Sequence, residues 1–440
     1  MEVTLLLILI IQLMLLLICL VNFYKDPMDF GNFFMIIYFI FYAFPAWDEV
    51  MGWGLFLDNF SSSYRQLSSV AEGSYLLFIT TLIMLTFYIG YFISKKTIPM
   101  KDRFNYVYSI NNLSLKLSIF FLSIVWIAVF YSAFREYSGS FLLFISPSRK
   151  TGLFQSYYLR YIFKLLPQVI LIILLINSHL KGRRIALLEY IVASVSLLAY
   201  SVTGQRREIL VFAIFVLLIF IELKNENFST KMKNKLKRKI VMFVGLAGIV
   251  FTPVLWWLRV IASQLQRGVT DIVMPWEIRG FTELVFGSGA TGFKMLLLVR
   301  TYIDDIPNRW GYNIFVFLSS FVPRSIWANK PLPIPDWLER YALVGTNPSL
   351  FYVNDMYVSF GWMSILASLF FGAIISFFYT KLSRSKVLEY KIYSFVIFAN
   401  IITLFKNGVS DFLINVLFTI FISMIFIKQI FSKKKVRIEE

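Results

Sequence analysis

The fold class that the sequence predicts is an all-α polytopic membrane protein, and three observations lead to it. Of the 440 residues, 58% are hydrophobic and only 15% are charged. Many apolar runs reach the ~20 residues that a helix needs to cross a hydrocarbon core. Basic residues gather in alternate connections between those runs, as they do where loops alternate across a membrane. No stretch is long and polar enough for a separate soluble domain, and no repeat, heptad array or low-complexity tail is present. One integral-membrane domain over 1–440 is expected, with no nucleic-acid partner.

Eleven spans are expected, near residues 3–24, 32–47, 74–94, 117–134, 162–180, 185–203, 208–223, 240–258, 357–380, 392–405 and 411–427. The first run lacks a basic leader and a small-residue cleavage site, so it reads as a retained helix and not a removed signal peptide. The single cysteine, Cys19, lies inside it. It cannot form an intramolecular disulfide, and no Cys/His metal cluster or thiolate nucleophile is available.

Charge sets the sidedness. KKTIPMKDR from Lys95, KGRR from Lys181, KNENFSTKMKNKLKRK from Lys224, KLSRSK from Lys381 and the tail KQIFSKKKVR from Lys428 alternate along the chain. The positive-inside rule assigns them to the cytoplasm, which leaves residues 48–73, 135–161, 204–207, 259–356 and 406–411 outside. The two sides differ in kind: 19 Lys and 6 Arg fall inside, 5 Lys and 13 Arg outside, counting Lys164 at the outer end of its span. Topology needs only charge, whereas the planar guanidinium fork suits bidentate oxyanions, phosphate above all. Snorkelling to headgroups, or pairing with Asp304, Asp305 or Glu339, is the plainer alternative for any one external arginine.

The long external segment, 259–356, is too apolar for a soluble domain and too interrupted to span. GATGFKMLLLVRTY (289–302) has Phe293, Leu296, Leu297 and Arg300 at helical spacing, and predicts an amphipathic helix on the membrane surface or across the bundle mouth. NIFVFLSSFVP (313–323) predicts a short, half-inserted helix. The proline-rich PRSIWANKPLPIPDW that follows carries Arg324 and Lys330 on extended backbone, which stays near water or lines a cavity. Asp336 and Glu339 have capping-box spacing for a helix starting near Trp337. Asp355, among apolar and aromatic residues just before a span, is harder to explain as a cap.

TGQRREILVF (203–212) sets Arg206 and Arg207 beside the positive end of a helix dipole, an unfavourable place for cations unless an anion joins them. Helix-start amides and two guanidinium forks would together receive a diphosphate; alternatively Glu208 caps the helix and neutralises one arginine. His179 reads as an interfacial polar residue at the cytoplasmic end of a span. Glu189 is near enough to KGRR to snorkel out of the bilayer. No GxSxG, HExxH or phosphate-loop pattern occurs.

The tight external Gly204-Gln205-Arg206 turn, the PRSIWANKP stretch at 323–331, the glycine-containing start of the next span and the late KNGVSD turn at 406–411 resemble, in their order, the Wzy-type O-antigen and enterobacterial common antigen polymerases. That resemblance covers most of the chain through loose motifs. It implies a GT-C-like, inverting, metal-independent glycosyltransferase without a cofactor, in the bacterial inner membrane with its C-terminus cytoplasmic. The implied partners are an undecaprenyl-pyrophosphate-linked glycan donor and acceptor, membrane lipid and a chain-length regulator protein.

In that setting Arg206, Arg207, Arg279 and Arg324, with Lys330 and Lys406, are the residues expected to meet the charge growing on the diphosphate leaving group. Asp355 and Asp411 are the candidates for a base or orienting group at the acceptor hydroxyl; Asp411 also suits capping of the last helix or pairing with Lys406. External tryptophans such as Trp276, Trp310 and Trp327 suit sugar stacking and interfacial belts equally. An O-antigen ligase would carry an external histidine, which this sequence lacks. A lipid-linked-oligosaccharide flippase would show two related halves and charges along a path within the spans. A binding protein for length control would not need its arginines to touch diphosphate.

Overall fold

The structure, a computed structural model, describes residues 2–53, 69–98, 104–136, 157–181, 187–202, 212–219, 235–239, 292–300, 310–322, 326–334, 336–337, 350–385 and 387–437, with single positions at 232, 254, 261, 264 and 273. Among them, eight helical stretches are long and apolar enough to cross a membrane: Val3–Lys25, Phe30–Met51, Val70–Thr97, Asn112–Ser132, Tyr161–Leu180, Tyr352–Ser383, Leu388–Asn407 and Val409–Ile430. The chain is an all-α, multi-pass membrane protein by helix length and hydropathy. The expected span at 185–203 is helical over Leu187–Val202. The span expected at 208–223 is helical over its described part, 212–219, and the one expected at 240–258 lies outside the described residues except for position 254. The chain divides into two compact units.

The first unit comprises Met1–Ile98, Arg279–Thr380 and Ile401–Ile414. It contains α1 (Glu2–Lys25), α2 (Phe30–Tyr38), a π-helical turn (Phe39–Ala43), α3 (Phe44–Met51) and α4 (Val70–Thr97). On α1, buried Leu5, Ile8, Gln12, Leu15 and Cys19 recur at steps of three and four, while Leu6, Leu13 and Leu17 face out. A one-sided stripe of this kind suits a helix with lipid on its other face. Gln12 sits mid-stripe and joins three helices, donating to Thr81 Oγ1 at 2.8 Å and accepting from Trp47 Nε1 at 2.8 Å. Asp29 accepts from Asn32 N–H at 2.8 Å to cap α2, and its carboxylate also pairs with Lys95. The i→i+5 turn lies just before Pro45, whose missing N–H breaks the ordinary ladder.

In unit 1, α4 packs against α10 (Ser364–Ser383) by direct backbone approach. A Cβ on Gly90 would overlap Leu369 O, and one on Gly372 would overlap Phe87 O. Ser364, Ser368, Gly372, Ser376 and Thr380, four residues apart, are all buried on α10. Small residues let membrane helices close in this way where no hydrophobic force drives association.

The second unit comprises Pro99–Ile278, Lys381–Asn400 and Asn415–Glu440. It holds β1 (Phe104–Ile110), α5 (Asn112–Glu136), α6 (Tyr157–Leu180) and α7 (Leu187–Val202), packed in sequence, and α11 (Leu388–Ala399). Pro167 interrupts α6, so Phe163 O loses its helical donor; Trp126 Nε1 of α5 replaces it at 2.9 Å, with the Trp126 and Phe163 rings stacked at 5.6 Å. Glu189 is buried and accepts from Ser178 Oγ, so it ties α6 to α7 and does not snorkel away from the bundle as expected. His179 occupies the last turn of α6, where it was expected.

An unexpected element of this unit is a two-stranded antiparallel ribbon of β1 and β2 (Phe431–Arg437), in register from Phe104↔Arg437 to Ile110↔Phe431. Asn111 N–H continues the ladder to Ile430 O at 2.9 Å. The ends of further connections join here: Lys181 Nζ donates to Asn112 Oδ1 at 2.9 Å, and Tyr108 OH to Glu389 Oε2 at 2.7 Å. Connections flanking four of the basic clusters therefore meet at one end of this unit, as charge alternation requires of loops on a common side.

Candidate functional site

The described site grows from the KNGVSD turn. Helix α12 (Ile401–Asn407) stops at Gly408, and α13 (Val409–Ile430) starts immediately after it. Gly408 has φ +87°, the left-handed region that favours glycine. A second constraint acts on the same atom position: a Cβ there would overlap Asp355 Oδ2.

Asp355 lies in the first turn of α9 (Tyr352–Phe360), a helix buried from Tyr352 through Ser359. Its Oδ2 accepts from Val409 N–H at 2.7 Å and from Asn313 Nδ2 at 3.1 Å. The carboxylate thus caps α13 from another helix, satisfying one of the amides that a helix start leaves open. Asp411, half-buried in the first turn of α13, accepts from Asn407 Nδ2 at 2.7 Å. Two carboxylates at one helix start suit the positive end of its dipole.

Phe351 precedes α9 with φ +57°, a strained value for a residue with a Cβ. The surroundings hold it there. Its N–H donates to Lys406 O at 3.1 Å, and its buried ring packs edge-on to Phe405 at 5.2 Å. That bond ties the backbone of the KNGVSD turn to the residue where α9 begins.

A further layer fixes α9. Asn354 accepts from Tyr42 OH at 2.8 Å and donates to Gly292 O at 2.7 Å. Ser359 receives two donors from the start of α8 (Tyr312–Ser320): Gly311 N–H to its carbonyl at 2.8 Å and Asn313 N–H to its hydroxyl at 3.2 Å. Tyr312 OH donates to Leu332 O at 2.7 Å, so adjacent residues of α8 hold the proline-rich stretch and Asp355. As expected, α8 is short, with buried Asn313, Val316 and Phe317 on one side and Ile314 and Leu318 exposed on the other.

Two ion pairs join further segments of this unit. Lys294 Nζ lies 3.2 Å from Glu49 Oε2, and Arg300 Nη1 lies 3.4 Å from Glu72 Oε1 with its guanidinium over the Tyr75 ring. These contacts bear on the two alternatives for 289–302. Residues 293–299 are all buried, Lys294 included, so this helix is packed within the unit and the membrane-surface alternative is excluded. Asp336 is revised too: Ile334 is already helical and Trp337 N–H donates to Pro333 O at 2.9 Å, which puts Asp336 inside the first turn instead of at a cap.

The structure therefore brings Asp355, Asp411 and Lys406 to one turn. Lys330 is held separately, with Nζ donating to Val322 O at 3.0 Å. Arg206, Arg207, Arg279 and Arg324 lie outside the described residues, as do Trp276 and Glu339. Sequence reasoning missed Asn313, Asn354 and Glu49. A lone asparagine at the head of an apolar helix, or beside an aspartate in an aromatic run, is the signal that could have drawn attention to the first two. Chemically, buried Asp355 is arranged to position the turn, while half-buried Asp411 and Lys406 offer a carboxylate and an ammonium at its rim.

Residues 293–439 match a domain of unknown function, DUF8712. The matched part contains Lys294, Asn313, Lys330, Asp355, Lys406 and Asp411, but not Arg206, Arg207 or Arg279. Neither a curated protein nor a solved structure matches the chain.

Proposed function

We propose that this multi-pass protein is an inverting, metal-independent glycosyltransferase that polymerises undecaprenyl-pyrophosphate-linked oligosaccharide repeat units at the outer face of a bacterial inner membrane. The observation that carries the proposal is the convergence of α8, α9 and the KNGVSD turn, which groups Lys406 and Asp411 on a scaffold fixed by Asp355 and Asn313. The 13 external arginines support it, because a diphosphate leaves readily only when its growing charge is met. In this scheme the acceptor hydroxyl attacks the anomeric carbon of the donor glycan. The carbon–oxygen bond to diphosphate breaks, and undecaprenyl diphosphate departs with the bonding electrons. Asp411 orients the hydroxyl and takes its proton; Asp355 is a positioning residue. Arg206, Arg207, Arg279 and Arg324 hold the diphosphate with help from Lys330 and Lys406.

The purified protein, given a synthetic lipid-linked repeat unit without added metal, should yield a glycan ladder and free undecaprenyl diphosphate. Arg206→Ala should abolish the ladder with membrane insertion intact, and Arg206→Lys should rescue it poorly, since a point charge does not grip two oxygens in a plane. A full ladder from Arg206→Ala would remove that residue from the site. No ladder from the folded wild-type protein would overturn the polymerase assignment and favour transport or ligation.

A further inference from the structure

Helix α13 carries a polar file below the KNGVSD turn. Asn415, Thr419 and Ser423 recur every four residues, a spacing that keeps them along one helix face over about 12 Å. All three are buried, with 4%, 0% and 0% of their surfaces exposed. Asn415 Oδ1, Thr419 Oγ1 and Ser423 Oγ have no hydrogen-bond partner among the described residues. At membrane depth that is costly, because lipid offers no substitute.

The hydroxyls have also left unused the simplest local remedy. Elsewhere in the spans Ser74, Thr81, Thr86 and Ser196 donate to carbonyls four residues earlier, at 2.7, 2.6, 2.9 and 2.7 Å. Thr419 and Ser423 do not. Ser364 and Ser376 of α10, also unpartnered, share the stripe of Gly372 at its backbone contact with α4. Asn177 Oδ1 of α6 and Tyr393 OH of α11, in the same unit, are likewise buried and unpartnered.

We infer that the Asn415, Thr419 and Ser423 face of α13 binds a file of water molecules inside the membrane-spanning part of the second unit. The ligand is hydroxylic and neutral, because the file presents amide and hydroxyl groups and no charge. Water alternately donates and accepts, and so satisfies an amide oxygen and two hydroxyls in turn. This inference does not depend on the proposed polymerase activity.

Cysteine accessibility tests it in the full-length protein. Cys19 is the single cysteine and is buried, so Cys19→Ala gives a silent background. Ser423→Cys is nearly isosteric; Thr419→Cys samples the next position. Leu417→Cys and Phe421→Cys, at positions 44% and 58% exposed on other faces of the same helix, are the lipid-facing controls. A small, permanently charged methanethiosulfonate should modify the file positions at least ~10-fold faster than the controls, because only hydrated thiols ionise and react. Rates at 419 and 423 as low as at 417 and 421 would overturn the inference. Thr419→Val in the unaltered background gives a second readout that does not need a cysteine. If water occupies the file, loss of the hydroxyl lowers the thermal midpoint; a rise would mean that the hydroxyl was dry, and would overturn the inference as well.

Discussion

Asp355 holds Val409 N–H at 2.7 Å across 54 residues of sequence, so the start of one membrane helix is capped by the carboxylate of another. The same oxygen takes Asn313 Nδ2. Three helices, α8, α9 and α13, are therefore joined through a single atom, and the geometry of the KNGVSD turn depends on it.

Replacing Asp355 by Ala should destabilise the protein by about 2–4 kcal/mol, since a helix cap is lost and two buried donors are left open. Asp355→Asn keeps the shape but turns one side of the carboxylate into a donor, and should fall between wild type and Ala. Thermal unfolding in detergent measures both. Equal midpoints for all three proteins would contradict the clamp.

Gly408→Ala meets two penalties together: a left-handed backbone and overlap with Asp355 Oδ2. The expected loss is more than about 1 kcal/mol, and glycan synthesis should fall with it as Lys406 and Asp411 shift. Asp355→Ala/Gly408→Ala should be less destabilised than the sum of the single changes, because the overlap has gone. Strict additivity in the cycle would argue against contact between these positions.

Trp126 and Pro167 should be coupled through Phe163 O. Trp126→Phe keeps the stacking ring but leaves that carbonyl without its donor, at a cost of about 1–3 kcal/mol. In Trp126→Phe/Pro167→Ala the alanine N–H restores the helical bond, so part of that loss should return. A double variant less stable than either single one would show that the indole matters only by its bulk.

Lys294→Met should be strongly destabilising, by about 3–5 kcal/mol, as it strands Glu49 in a largely buried site. Lys294→Met/Glu49→Leu should recover most of that loss. Failure to recover would mean that the pair is not what stabilises the packed 292–300 helix.

The spans were legible because hydropathy is local: α1, α4 and α13 are each long apolar runs ended by lysines, and no distant residue is needed to recognise them. What escaped depends on partners far away in sequence. Residues 289–302 suit a surface helix and a packed one equally until Lys294 is seen to pair with Glu49, 245 positions earlier. The tail from Phe431 reads as a topology signal, and its pairing with Phe104–Ile110 has no counterpart in spacing or composition. Asp355, among apolar and aromatic residues, reads as hard to explain as a cap, yet it forms one. The cap it forms serves another helix, which a linear pattern does not display. The turn 204–207 lies outside the described residues.

The most direct test of the account is a cryo-electron-microscopy structure of the protein with undecaprenyl-diphosphate-linked repeat unit. Diphosphate density is expected within hydrogen-bonding distance of the Arg206 and Arg207 side chains. Density seated elsewhere, or arginines each paired with an acidic neighbour and no diphosphate between them, would contradict it.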